Sequence, residues 1–258
     1  MVYTNQNRNL KLFWLITLIL LLIGCQVVPA EMQNPELKSE CVVLLHGLAR
    51  TSLSMQIINQ ALLKRGYSVV NINYPSRQLP IAELATFAIE QGILKCRKKQ
   101  CKKIHFVTHS LGGILVRHYT QSKTIPNMHR VVMLGPPNQG SEIVDRLKKL
   151  PGYSQVQGPA GLELGTADED TPKQLGPVNF ELGIIAGKRS INPFLSSLIP
   201  GQDDGKVSVE STKTQGMKDF ITLPITHTFM MWNPESIHQT LHFLEHGSFD
   251  HKVEPIND

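Results

Sequence analysis

One stretch, residues 104–113, narrows the folds open to this chain more than any other. An apolar run of strand length (104–108) passes without a linker into His109, Ser110, Leu111, Gly112 and Gly113. A helical pattern follows, with Ile114, Leu115 and Tyr119 available to one face. A continuous apolar strand must be covered on both faces, and a strand that turns straight into a helix begins a crossover to a parallel neighbour. The remainder repeats that unit. Strand patterns at 41–45, 67–73 and 130–134 alternate with helical patterns at 54–65 and 81–95, the first of them stopped by Gly66. Two more strands are expected at 180–186 and 220–225, and a closing helix at 234–245. This alternation predicts the α/β class, a doubly wound, mostly parallel sheet flanked by helices. A chain of 258 residues, 41% hydrophobic and 18% charged, can bury such a core in one domain, placed at residues 40–258, and its composition excludes disordered and fibrous classes. Between 135 and 179 the regularity lapses. There an amphipathic piece (Ile143, Val144, Leu147, Leu150) precedes a Gly- and Pro-rich stretch with acids at 168–170, a candidate lid or pocket wall.

The N-terminus reads differently. Arg8 and Lys11 precede an apolar run over 12–23 that is shorter than the roughly 20 residues needed to cross a bilayer. A basic start, an apolar stretch and an end at Gly24 and Cys25 predict a cleaved signal peptide over residues 1–24. Leu22, Ile23, Gly24 and Cys25 resemble a bacterial lipobox. That resemblance implies acylation of Cys25, a lipidated tether over 25–39, and the bacterial cell envelope as location, with the membrane as a partner through the anchor. Gln26, by resemblance to enterobacterial lipoproteins, implies the outer membrane facing the periplasm. An ordinary secretory signal or an uncleaved anchor is the alternative. Losing Arg8 and Lys11 with the leader lowers the formal charge of +5 by those two units. Much of the remaining basic charge lies in 95–103, which reads as a solvated turn, with anionic headgroups as the other possible contact. Without aromatic interleaving or a recognition motif, nucleic acid is not an expected partner. Cys96 and Cys101 bracket a short loop that an oxidising compartment would allow to close as a disulfide, and Cys41 reads as a buried free thiol. No Cys/His spacing matches a zinc site. Oligomeric state is not legible.

The residues able to do chemistry cluster at strand ends. The turn at Ser110 is tight, so small residues must flank it, and Gly112 and Gly113 let the helix start approach the strand. A helix beginning at Leu111 turns its positive end, and the Leu111 N–H, toward whatever Ser110 attacks. A serine hydroxyl needs a base, itself oriented by an acid. His46 and Gly47 end the first strand, Asp203, Asp204 and Gly205 lie between the last two, and His227 follows the sixth. His238, His242 and His246 recur at four-residue spacing on the closing helix; with no matching acid they read as a polar face.

Together these segments resemble the lipase and esterase branch of the α/β-hydrolases, over residues 40–246. The resemblance implies the α/β-hydrolase fold and a triad of Ser110 as nucleophile, Asp204 as acid (Asp203 as fallback) and His227 as base. It assigns the oxyanion donors to the N–H groups of Leu48 and Leu111, and acyl transfer on a carboxylic ester or lipid, with no metal or organic cofactor. His46 is expected to hold its loop, His109 to pack behind the nucleophile, and Arg50 either to meet substrate or to brace the loop. The stretch 135–141 resembles a Pro-Pro-x-x-Gly-Ser segment of related lipases, read as a pocket-shaping loop or a plain turn. One residue departs from the pattern: Thr108 stands where Gly-x-Ser-x-Gly has its first glycine. A thioesterase or acyltransferase would share every residue named, a peptidase would need a substrate-amine pocket that is not legible, and a non-catalytic lipoprotein using the fold as a binding module is the reading from another class.

Overall fold

The apolar runs satisfy their backbones against one another in a single sheet. In the computed structural model, which describes residues 38–252, the strands are β1 (Glu40–Leu45), β2 (Ser68–Ile72), β3 (Lys103–His109), β4 (Met128–Leu134), β5 (Glu181–Gly187) and β6 (Asp219–Leu223). Their order is β2-β1-β3-β4-β5-β6, and every pair is parallel. The expected mostly parallel sheet is thus parallel throughout. Cys25, the signal peptide and most of the tether lie outside the described residues.

Side chains alternate across each strand, and the two faces need separate covers. Cys41, Val43 and Leu45 of β1 face one cluster, filled by α2 (Ile81–Lys98) and α3 (Leu111–Ser122). Val42 and Leu44 face the other, filled by α1 (Gln56–Lys64) and, from the far end of the chain, α9 (Pro234–His246). Between these lie the short helices α4 (Glu142–Leu147), α5 (Tyr153–Leu162), α6 (Thr171–Gln174), α7 (Pro193–Ser196) and α8 (Val209–Thr212). They occupy the connections after β4 and β5, beyond the carboxyl ends of the strands. The chain moves outward from β1 to β2 on one side and from β3 to β6 on the other, so the order reverses between β1 and β3. In an open α/β sheet the crevice above that reversal is where ligands bind. Among the described residues no helix is long and apolar enough to cross a membrane.

The disulfide expected between Cys96 and Cys101 is not the one formed. Cys96 pairs with Cys41, their Cα atoms 5.8 Å apart, and Cys101 is free. Cys41 sits on the β1 face that α2 covers, and Cys96 is in the last turns of α2 on its buried stripe with Ile89 and Ile93, so the two meet inside the core. Cys101 lies beyond the helix end, past Gln100 at φ 56°, with its Sγ by the carbonyl of Lys99. The expectation of a free thiol at Cys41 fails with it.

Candidate active site

Parallel pairing of β1 with β3 sets Leu45 beside Thr108, and so brings the loop that follows β1 next to Ser110. Ser110 itself has φ 51° and ψ −119°, a conformation that an L-residue occupies only when its surroundings enforce it. Two bonds do so: its N–H donates to the carbonyl of Leu134 on β4, and its carbonyl accepts from Gly113 at 3.0 Å. Gly112 is required here, since a Cβ at that position would stand 2.7 Å from the Leu45 carbonyl. The sharp turn lifts the hydroxyl above the sheet and into a cavity of about 400 Å³. Thr108 fits in place of the glycine: it is fully buried, and its Oγ1 has no partner among the described residues.

The loop between β5 and β6 supplies a buried carboxylate. Asp204 is 2% exposed, and its Oδ1 accepts the backbone N–H of Lys206 and Val207 at 3.0 and 2.8 Å. Its other oxygen, Oδ2, accepts Nδ1–H of His227 at 2.7 Å, and the His227 backbone N–H donates to the Asp204 carbonyl. These bonds put the imidazole proton on Nδ1 and leave Nε2 with its lone pair. Ser110 and His227 line the same cavity; among the described residues no hydrogen bond joins the hydroxyl to the ring, an arrangement that catalytic pairs often tighten only once substrate is bound. Asp203 points elsewhere: it accepts the Ser196 hydroxyl at 2.6 Å and the Gly205 N–H at 2.7 Å, tying α7 to this loop.

Three histidines serve as framework. His46 donates from Nδ1 to the Gly47 carbonyl and accepts the Tyr74 N–H, its ring stacked on Tyr74 at 4.0 Å, and burial lowers its pKa. His109 is buried, lines the cavity beside Ser110, and donates Nε2–H to the His227 carbonyl at 2.9 Å; burial, then the neighbouring imidazole, push its pKa well below the usual range and keep it neutral. His242 donates to the carbonyl of Ser248 just past the end of α9, and no group of three metal-capable side chains is gathered among the described residues.

Neither Leu48 N–H nor Leu111 N–H donates to another group among the described residues, and Leu48 and Ser110 share the cavity wall. The irregular region lines the same cavity: Ile143, Val144 and Leu147 of α4, with Tyr153 and Leu164, supply an apolar wall. That wall is pinned. Arg117, buried on α3, donates to the carbonyls of Asn138, Leu175 and Gly176, so the stretch 135–141 is a fixed pocket wall and not a plain turn. With no carboxylate bonded to it among the described residues, burial lowers the guanidinium pKa to about 10. Lys148 bridges to Asp170 at 3.0 Å, and Asp145 accepts the Thr166 hydroxyl. Sequence reasoning did not find Arg117, because a lone arginine within a helical pattern reads as surface; its one signal is its place among Ile114, Leu115 and Val116, all fully buried.

The profile of the alpha/beta hydrolase family matches residues 42–201. No curated protein is similar to the chain in sequence at a meaningful level. Among solved structures the chain is similar to the mature form of the Bacillus licheniformis lipase BlEst2, with TM-score 0.64 and 16% identity, over 83% of this chain and 94% of that one. It is similar to phospholipase PlaB from Legionella pneumophila, with TM-score 0.61 and 18% identity, over 81% of this chain and 60% of that one. A third likeness is to Aspergillus fumigatus lipase B, with TM-score 0.58 and 14% identity, over 84% and 55%. At such identities these likenesses speak to the fold.

Proposed function

The chain belongs to the alpha/beta hydrolase family, and from that premise we propose that it is a serine hydrolase cleaving carboxylic esters through an acyl-enzyme. The observation that carries the reading is the positive-φ turn that holds Ser110 in the same cavity as His227, whose Nδ1–H is fixed on Asp204 at 2.7 Å. In this mechanism Nε2 of His227 takes the hydroxyl proton as Ser110 Oγ bonds to the ester carbonyl carbon. Leu48 and Leu111 N–H groups receive the developing oxyanion, each such donor being worth about 10² to 10³ in rate. His227 then gives the proton to the departing alcohol oxygen, the acyl–oxygen bond breaks, and water activated by the same ring releases the acid. Asp204 holds the ring in the required tautomer and balances its charge while it is protonated.

The apolar wall from α4 to Leu164 suits an acyl chain, and the lipase and phospholipase names of the structural neighbours agree with a lipid or ester substrate. Location at the cell envelope through a lipid on Cys25 is part of the same proposal, supported by the lipobox resemblance and by a buried disulfide, which persists in oxidising compartments. The test is hydrolysis of p-nitrophenyl esters of rising chain length by the full-length chain in detergent, beside Ser110→Ala, with labelling by a fluorophosphonate. Turnover and labelling that both vanish in Ser110→Ala are expected. A folded wild-type protein that neither turns over these esters nor takes up the probe would sink the hydrolase reading and favour a binding module.

A further inference from the structure

The cavity is not apolar all round. Besides the apolar side chains of α4, Arg50 of the loop after β1 and Lys206 of the loop between β5 and β6 both line it, together with Ser110. Neither cation is neutralised: among the described residues neither is ion-paired to a carboxylate, and neither side chain donates a hydrogen bond. The nearby acids are committed elsewhere, Asp204 to His227 and two backbone N–H groups, Asp203 to Ser196 and Gly205. Among the described residues the Arg50 guanidinium thus makes no bond that would brace its loop.

The two cations also sense each other. Lys206 is exposed at its surface, yet the chain packed around it lowers its pKa, Arg50 lowers it further, and Asp204 opposes both. Two like charges lining one cavity repel each other, and an anion between them relieves that repulsion. Arg50 belongs, besides, to an adjoining polar groove with Arg77, Asn73 and Ser76, which meets the cavity at Ala49 and Arg50. An acyl chain held among the apolar lining residues leaves the alcohol part of the ester to the remaining, basic lining, and a guanidinium fork is matched to phosphate oxygens.

We propose that Arg50 and Lys206 form an anion subsite, so that the ester cleaved at Ser110 carries a phosphate on its alcohol side. This rests on the assignment of Ser110 as nucleophile. The test compares kcat/KM of the full-length protein for dihexanoylphosphatidate and dihexanoylglycerol, both below their micellar concentrations, in wild type, Arg50→Gln, Lys206→Gln and the double variant. The readout is the ratio of the two constants, in which any general loss of active protein cancels. The subsite predicts a ratio above one in wild type that falls about tenfold in each single variant and toward one at high salt. A wild-type ratio at or below one, or a ratio unmoved in the double variant, overturns the subsite and leaves the nucleophile assignment standing. Binding of dihexanoylphosphatidate to Ser110→Ala protein tests the subsite without turnover: affinity lost on adding both glutamines supports it, and equal affinity overturns it even if neither ester is cleaved.

Discussion

Asp204→Asn changes one atom, and the structure dictates where the change must fall. Oδ1 accepts two backbone N–H groups, from Lys206 and Val207, so the amide oxygen has to stay there; an amino group in that place would face two donors. The amino group is therefore turned toward His227 Nδ1, where the carboxylate now accepts a proton at 2.7 Å. To accept from it, Nδ1 must give up its hydrogen, and the imidazole proton moves to Nε2. The lone pair that should take the Ser110 proton is then gone. In the trypsin-type triad this tautomer trap costs on the order of 10⁴ in kcat, or about 5 kcal/mol of transition-state stabilisation. A similar loss is expected here, with thermal stability reduced by only about 1–3 kcal/mol, the worth of a hydrogen bond to a charged group. The assay is kcat on p-nitrophenyl butyrate with the thermal midpoint measured on the same preparation. Asp203→Asn is the control. Its amino group meets the Ser196 hydroxyl, which rotates to accept, while its oxygen keeps the Gly205 N–H, so kcat should stay within about tenfold of wild type. If Asp204→Asn retained more than a tenth of wild-type kcat, the tautomer argument would fail; if Asp203→Asn were the damaging change, the acid would be the wrong member of the pair.

Three other perturbations test the framework. Cys96→Ser opens a cross-link between residues 55 apart in sequence; loop-closure entropy puts the loss at about 4 kcal/mol, roughly 10 °C in thermal midpoint, and a midpoint unchanged in the variant but lowered in reduced wild type would exclude the disulfide as the cause. Gly135→Ala places a Cβ at φ 56°, 3.0 Å from Asp204 Oδ2 and 3.1 Å from His227 Nδ1, so ester turnover should drop at least tenfold, on the order of one misplaced catalytic contact; unchanged kinetics would show that the pair tolerates displacement. His46, His105 and His109 all have pKa values that burial lowers. The unfolded chain takes up these protons first, so stability is full above about pH 6.5 and falls below it by up to about 1.4 kcal/mol per pH unit per ring. Urea midpoints measured on either side of that pH should show the fall, with a shallower slope in His109→Gln, and a flat profile would refute the assignment of neutral rings.

How much of this was legible in the sequence depended on whether a feature is local. The central strands β1 and β3 are apolar runs buried on both faces and the edge strands β2 and β6 are half-buried but still β-branched and apolar, so β1 to β6 could be read from their own residues to within two or three positions, and helices such as α3 and α9 from spacing alone. The candidate site was legible for a related reason. In a parallel sheet all loops after strands emerge at one end, so Ser110, Asp204 and His227, each just past a strand or in the connection between two, had to arrive near one another once the strand order was known. Cys41 with Cys96 shows where local reading stops. The short spacing of Cys96 and Cys101 suggested a bond, but pairing depends on which faces meet. Cys41 shares its face of β1 with Val43 and Leu45, and Cys96 shares its stripe of α2 with Ile89 and Ile93, so the information was present as two periodicities. It became a contact only when α2 was placed on that side of the sheet. Arg117 and the pair Arg50 and Lys206 lay further beyond reach, for their meaning comes from what is absent around them. Among the described residues Arg117 donates to carbonyls and pairs with no carboxylate, and the side chains of Arg50 and Lys206 do neither, which is a property of packing and not of pattern. A charge run in a sequence says how many cations there are; only the folded surroundings say which of them still needs an anion.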